Sequence, residues 1–123
     1  MDQKKILLVE DDQFLRTLYT DLLKAENFIV EEAVDGEEAY NKIKTCGWDL
    51  ILLDVVLPKM DGLQVINKLR TESPETVKQK IVLLTNLDKS SLEKEVGQMG
   101  YQYLIKSDLN PEQFVNKIKE LLK

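Results

Sequence analysis

Residues 49–62 read Asp49-Leu50-Ile51-Leu52-Leu53-Asp54-Val55-Val56-Leu57-Pro58-Lys59-Met60-Asp61-Gly62. The uninterrupted apolar run Leu50 to Leu53 has the length of a strand buried on both faces, and an acid follows it at once. Pro58 and Asp61-Gly62 then mark a turn. Beyond the turn, Leu63, Ile66 and Leu69 recur at three-residue spacing, which is one stripe of a helix. A fully apolar strand leading through a short loop into an amphipathic helix is the repeating piece of a parallel α/β sheet.

The same piece recurs on either side. Ile6-Leu7-Leu8-Val9 is a strand, followed by a helix carrying Leu15, Leu18, Tyr19 and Leu22. Phe28-Ile29-Val30 is a second strand, and Asp35-Gly36 starts a helix with Ala39, Tyr40 and Ile43 on one stripe. Ile81-Val82-Leu83-Leu84 is the fourth strand, and Leu92, Val96 and Met99 outline a fourth helix. Tyr101 to Ile105 is the fifth strand. Asn110-Pro111 supplies the N-cap and first-turn proline of a last helix, which carries Phe114, Val115, Ile118, Leu121 and Leu122. The expected fold class is α/β: a single (βα)5 doubly wound domain over residues 1–123, with a five-stranded parallel sheet and no output domain.

Composition narrows the chemistry. The chain has 123 residues, 43% hydrophobic and 32% charged, a globular balance. Lys and Arg number 17 against 22 Asp and Glu, a formal net charge of −5, so direct nucleic-acid binding is not expected. There is one cysteine, Cys46, and no histidine, which excludes internal disulfides, His-ligated zinc and His-dependent nucleophiles. No apolar run is long enough to span a bilayer or to serve as the core of a signal peptide, so a cytoplasmic location without membrane contact is expected.

In an open parallel sheet, ligands bind beyond the carboxyl ends of the strands. Glu10, Asp11 and Asp12 follow the first strand, Asp54 the third, Thr85 the fourth and Lys106 the fifth. Singly, each has an ordinary explanation: Asp12 as a helix N-cap, Asp61 as a turn residue, Asp54 as a solvated loop acid. Together, the carboxylates of Glu10, Asp11 and Asp54 on one sheet edge would repel one another unless a cation joined them, and hard oxygen donors suit Mg2+. A hydroxyl and an ammonium beside them suit phosphoryl oxygens. Neither G-x-x-x-x-G-K-[ST] nor G-x-G-x-x-G follows the first strand, so the nucleotide-binding folds do not fit. A phosphatase with an aspartyl nucleophile needs an acid two residues on. Val56 and Gln13 stand at those places, so turnover catalysis is not expected.

These residues resemble the receiver domains of bacterial two-component response regulators, the CheY-like family. The resemblance rests on residues 5–12, on 49–62, on Val82-Leu83-Leu84-Thr85 and on Tyr103-Leu104-Ile105-Lys106, in that order along nearly the whole chain. It implies the strand order 2-1-3-4-5 and a phosphoryl group received on Asp54 from a sensor histidine kinase or histidine phosphotransfer protein. It implies Mg2+ bound by Asp11 and Asp54, by Glu10 through water and by the carbonyl of Val56. Thr85 and Lys106 would hold the phosphoryl oxygens, and Tyr103 would follow Thr85 in a switch of partner binding. A downstream protein would dock on the face of the fourth helix, fifth strand and fifth helix. Ser107 stands where many members have proline and Asn86 where a small residue is common, so both are expected to tune access to the site. Phe14 is either peripheral core or a kinase-docking contact.

Two other functions remain open at this stage. A phosphorylation-independent interaction module would keep the fold without binding a phosphoryl mimic, and a small phosphatase would turn over an acyl phosphate. Cys46 is expected to pack as a small apolar side chain, and Trp48 to cap the lower end of the sheet.

Overall fold

The computed structural model describes residues 3–88, 90, 91, 94, 96 and 99–123. The elements are β1 (Lys5–Val9), α1 (Gln13–Ala25), β2 (Ile29–Ala33), α2 (Gly36–Lys44), β3 (Leu50–Leu53), α3 (Gly62–Glu72), β4 (Ile81–Thr85), β5 (Gln102–Ile105) and a C-terminal helix (Pro111–Leu121). All strand pairings are parallel and the sheet order is β2-β1-β3-β4-β5. This is the α/β doubly wound arrangement expected from the sequence.

Side-chain alternation along the three inner strands divides the core in two. Leu7, Val9, Ile51, Leu53, Ile81 and Leu83 face α2 and α3, where they meet Ala39, Ile43, Val65, Ile66 and Leu69. Their neighbours Ile6, Leu8, Leu50, Leu52, Val82 and Leu84 face α1 and the C-terminal helix, with Leu23, Phe114 and Ile118. On that side Tyr19 and Phe114 stack with ring centroids 4.4 Å apart. Apolar residues at every position of a strand are needed only where both faces are covered, which is why these runs are continuous.

Each of these four α-helices begins at a side-chain cap. Asp12 Oδ1 accepts the Leu15 N–H at 2.9 Å, and Asp35 Oδ1 accepts that of Glu38 at 2.8 Å. Asp61 is more than the expected turn residue: it caps α3, exchanging hydrogen bonds with Gln64 in a capping box. Asn110 and Gln113 form the same box at the C-terminal helix. Each cap contributes about 1 kcal/mol.

The differences from the sequence reading lie at the sheet's edges and in one loop. β2 runs to Ala33, past the expected end at Val30, because an edge strand keeps Glu31 and Glu32 near water. Glu32 accepts a hydrogen bond from Thr20 Oγ1 at 2.6 Å, and Glu31 pairs with Lys5. β5 starts at Gln102 rather than Tyr101. Cys46 is exposed, not packed, on a turn where it takes φ 60° ahead of Gly47. Trp48 is buried two residues ahead of β3, its indole N–H donating to Lys42 O at 3.0 Å. In the fourth helical stripe, Leu92 lies outside the described residues, while Val96 is buried and Met99 packs against the α2–α3 side of the core. No helix among the described residues is long and apolar enough to cross a membrane.

Candidate phosphoryl and metal site

Strand order and register assemble the site. The chain leaves β1 for β2 on one side and reaches β3 on the other, so the carboxyl ends of β1 and β3 adjoin at the switch point. Val9 pairs with Leu53, which sets Glu10 and Asp54, the next residue of each strand, side by side. Thr85 pairs with Ile105, which brings Lys106 to the same edge. Glu10, Asp11, Asp54, Val56, Thr85, Asn86 and Lys106 all line one open cleft of about 400 Å³.

Glu10, Asp11 and Asp54 each present a carboxylate oxygen, and the three atoms lie within 4.8 Å of one another. Glu10 and Asp54 are buried and Asp11 is exposed at the cleft mouth. The Lys106 ammonium, itself nearly buried, donates to Asp54 Oδ2 at 2.6 Å and to Glu10 Oε1. Asp54 Oδ1 accepts the Val56 N–H at 3.2 Å, and Glu10 Oε2 accepts that of Asp12 at 3.1 Å. Burial pushes the Glu10 carboxyl above the usual carboxylate range, a push that hydrogen bonds from Lys106 and the Asp12 amide only partly offset. Burial also works against the charge of Lys106. Its hydrogen bonds to Asp54 and Glu10 outweigh that cost and hold the ammonium above the ordinary lysine value. One cation thus faces three acids, leaving room in the charge balance for a second.

Thr85 is buried at the end of β4, and its Oγ1 accepts the Leu87 N–H at 3.3 Å. Tyr103 does not line the cleft. It is half-buried on β5 against the α2–α3 side of the core. Ser107 lies just outside, with its N–H bonded to Asn86 Oδ1 at 2.9 Å. Phe14 is 75% exposed on the first turn of α1, which removes the peripheral-core reading.

Arg16 was not singled out from the sequence. Its guanidinium donates to the carbonyls of Glu10 at 2.9 Å and Asp11 at 3.2 Å, clamping the acidic loop from α1. The available signal was a lone arginine one turn into a helix that follows an acidic run. Gly62 also supports the site. A Cβ there would lie 2.4 Å from the Asp54 carbonyl oxygen, so only glycine lets α3 start this close to the strand end.

A parallel sheet with this switch point thus carries an acid cluster facing a lysine and a threonine, without the glycine-rich loop of a nucleotide cradle. Residues 6–119 match the family model described as the response regulator receiver domain. The chain is 35% identical over 119 residues to the transcriptional regulatory protein SrrA of Staphylococcus aureus, a match covering 97% of this chain and 48% of that protein. It thus spans about half the length of that relative, and 15% of the gliding motility regulatory protein of Myxococcus xanthus, to which it is also 35% identical over 118 residues, 95% of this chain. A CheY-like receiver domain protein from Methanospirillum hungatei superposes with a TM-score of 0.83 at 28% identity, covering 98% of this chain and 94% of that one. The response regulator TrrA from Thermotoga maritima, solved in complex with Mg2+-BeF, gives a TM-score of 0.79 at 31% identity, over 98% of this chain and all of that one. This chain belongs to the response regulator receiver family: it is a signalling domain of a two-component system.

Proposed function

We propose that Asp54 receives a phosphoryl group from a histidine kinase or histidine phosphotransfer protein, and that the modified domain changes its affinity for a downstream partner. The observation that carries this reading is the convergence of Glu10, Asp11 and Asp54 oxygens within 4.8 Å, beside the Lys106 ammonium. The donor set is all hard oxygen, which fits Mg2+ and fits no thiolate-seeking metal. Asp11 and Asp54 would bind it directly, Glu10 through water, and Val56 through its carbonyl. When bound, Mg2+ neutralises charge on phosphoryl oxygens.

In the transfer itself, an Asp54 carboxylate oxygen attacks phosphorus, the bond from phosphorus to the donor breaks, and the leaving group keeps that electron pair. Lys106 is already bonded to Asp54 Oδ2, so its ammonium stands where new negative charge arrives. The Thr85 hydroxyl is the remaining donor to the phosphoryl oxygens. Its attraction toward the acceptor would open space for Tyr103 and shift the face formed by the segment after β4, β5 and the C-terminal helix. Phe14, exposed on α1 beside the acidic loop, is the proposed docking contact for the phosphodonor protein. Val56 offers no base to an attacking water, so the acyl phosphate should persist rather than turn over.

Incubation with acetyl phosphate and Mg2+, read by intact mass, tests this. One phosphoryl mass per chain is expected, and Asp54→Asn should abolish it. Uptake by that variant to the wild-type extent rules out Asp54. No uptake by the wild type favours a phosphorylation-independent interaction module, and rapid multiple turnover favours a phosphatase.

A further inference from the structure

The β4–β5 ladder ends at the pair Thr85 and Ile105. Just past it, the Ser107 N–H donates to the side-chain oxygen of Asn86 at 2.9 Å. An amide side chain therefore takes the place of the next main-chain acceptor and satisfies a donor that the finished ladder leaves over. The two residues joined in this way directly follow Thr85 and Lys106. Each of their loops is otherwise closed on itself. Thr85 Oγ1 accepts from Leu87 N–H, and Lys106 O accepts from Leu109 N–H at 3.2 Å. Among the described residues, Asn86 to Ser107 is the hydrogen bond that ties one loop to the other. Asn86 is exposed, so the bond rather than core packing holds its side chain.

We propose that Asn86 is a positioning residue for Lys106: by holding Ser107 it fixes the loop that places the ammonium between Glu10 and Asp54. The effect on transfer rate rests on Asp54 being the phosphoacceptor, but the anchoring of Lys106 stands without it. A side chain of this size at the cleft mouth would otherwise act only by obstructing access. The two roles predict opposite results when the side chain is shortened.

Asn86→Ala removes both bulk and acceptor, whereas Asn86→Leu keeps the bulk and removes only the acceptor. Wild type and both variants, as full chains without metal, are treated with acetic anhydride, and modification of each lysine is followed by peptide mass. The Lys106 side chain is 8% exposed, so it should react slowly in the wild type. Both variants should modify Lys106 about fivefold faster, the population change that one hydrogen bond of ordinary strength supports, with the other lysines unchanged. Both should also take up the phosphoryl group from acetyl phosphate more slowly. Unchanged Lys106 reactivity in the two variants overturns the proposal. So does faster uptake by Asn86→Ala together with wild-type uptake by Asn86→Leu, which is the signature of obstruction. A wild type that takes up no phosphoryl group defeats the phosphoacceptor reading instead, and Lys106 reactivity then decides this one alone.

Discussion

The Lys106 ammonium lies 2.6 Å from Asp54 Oδ2 and bonds Glu10 with the same nitrogen, so a single side chain from the end of β5 neutralises acids from the ends of β1 and β3. These ends come from residues 52 and 96 positions away, and nothing local in the chain brings them together. The pairing makes Lys106 a resident counter-ion in the cleft.

Replacing that counter-ion should expose the cost of the acids. In Lys106→Met the two buried carboxylates lose their partner, which should destabilise the metal-free domain by about 3 kcal/mol. Mg2+ should then stabilise the variant by more than it stabilises the wild type. Urea melts in chelator and in excess Mg2+ check both statements, and an unchanged midpoint in chelator would show that the pairing contributes nothing.

Mg2+ should also stabilise the unmodified wild type, since only the folded chain gathers Glu10, Asp11 and Asp54. At a hundredfold excess over Kd the gain is about 2.7 kcal/mol. Asp11→Ala removes the exposed acid at the cleft mouth while leaving the Lys106 pairs in place, and should lose most of the shift. A thermal melt identical in chelator and Mg2+ would count against the metal site.

The raised Glu10 carboxyl makes stability depend on pH in a defined direction. Burial holds its folded pKa above 4.5, so the folded chain binds this proton more tightly than the unfolded chain does. The associated stability is fully present below that value and is lost as pH rises through the folded pKa. Glu10→Gln has no such loss. The stability of the variant relative to wild type should therefore grow in chelator as pH rises from below 4.5 through the raised pKa of Glu10, and then level off. A difference that stays flat across this range would contradict the assignment.

At Gly62 the helix start touches the strand end that carries Asp54. Gly62→Ala places a Cβ 2.4 Å from the Asp54 carbonyl oxygen and 3.0 Å from Val55 Cα, both backbone atoms that cannot rotate away. The overlap should cost about 2 kcal/mol and weaken Mg2+ binding as the strand end shifts. At Gly36 a Cβ would meet the Met60 carbonyl oxygen at 1.7 Å, so Gly36→Ala should destabilise at least as much. Wild-type midpoints in a urea series would refute this close approach.

Beryllofluoride, a phosphoryl mimic, should redistribute Tyr103 toward the interior. The ring already lies against the α2–α3 side of the core, on the strand paired with β4. Movement of the Thr85 hydroxyl toward the acceptor would free the space it needs, and the size of the shift follows the differential affinity of the mimic for the two states. Ring resonances of Tyr103 should move on saturation. In Thr85→Ala they should stay in place while Asp54 still binds the mimic. Unmoved Tyr103 resonances in the wild type, despite shifts around Asp54, would break the proposed coupling.

The pattern of residues along the chain was enough to determine the inner strands, the four α-helices Gln13–Ala25, Gly36–Lys44, Gly62–Glu72 and Pro111–Leu121, and the strand-end positions of the chemical groups. Leu50 to Leu53 and Ile81 to Leu84 are apolar at every place because both faces of an inner strand are covered, and that is visible without coordinates. The caps Asp12 and Asn110 were equally legible, since capping is an interaction over three residues. Edge strands were harder to read: β2 continues through Glu31 and Glu32, whose charges mask a strand that needs only one covered face. The Arg16 clamp and the approach of Gly62 to Asp54 span only five to eight residues, but they depend on how the loop after each strand folds back. Two features depended on the register of distant strands and on the meeting of loops: the bridge from Lys106 to both Glu10 and Asp54, and the tie between Asn86 and Ser107. Hydrophobic periodicity is a local property and reports which way a side chain faces. Which polar atoms come within hydrogen-bonding distance is set by how strand ends align across the sheet, a relation between residues dozens of positions apart that no short stretch of sequence contains.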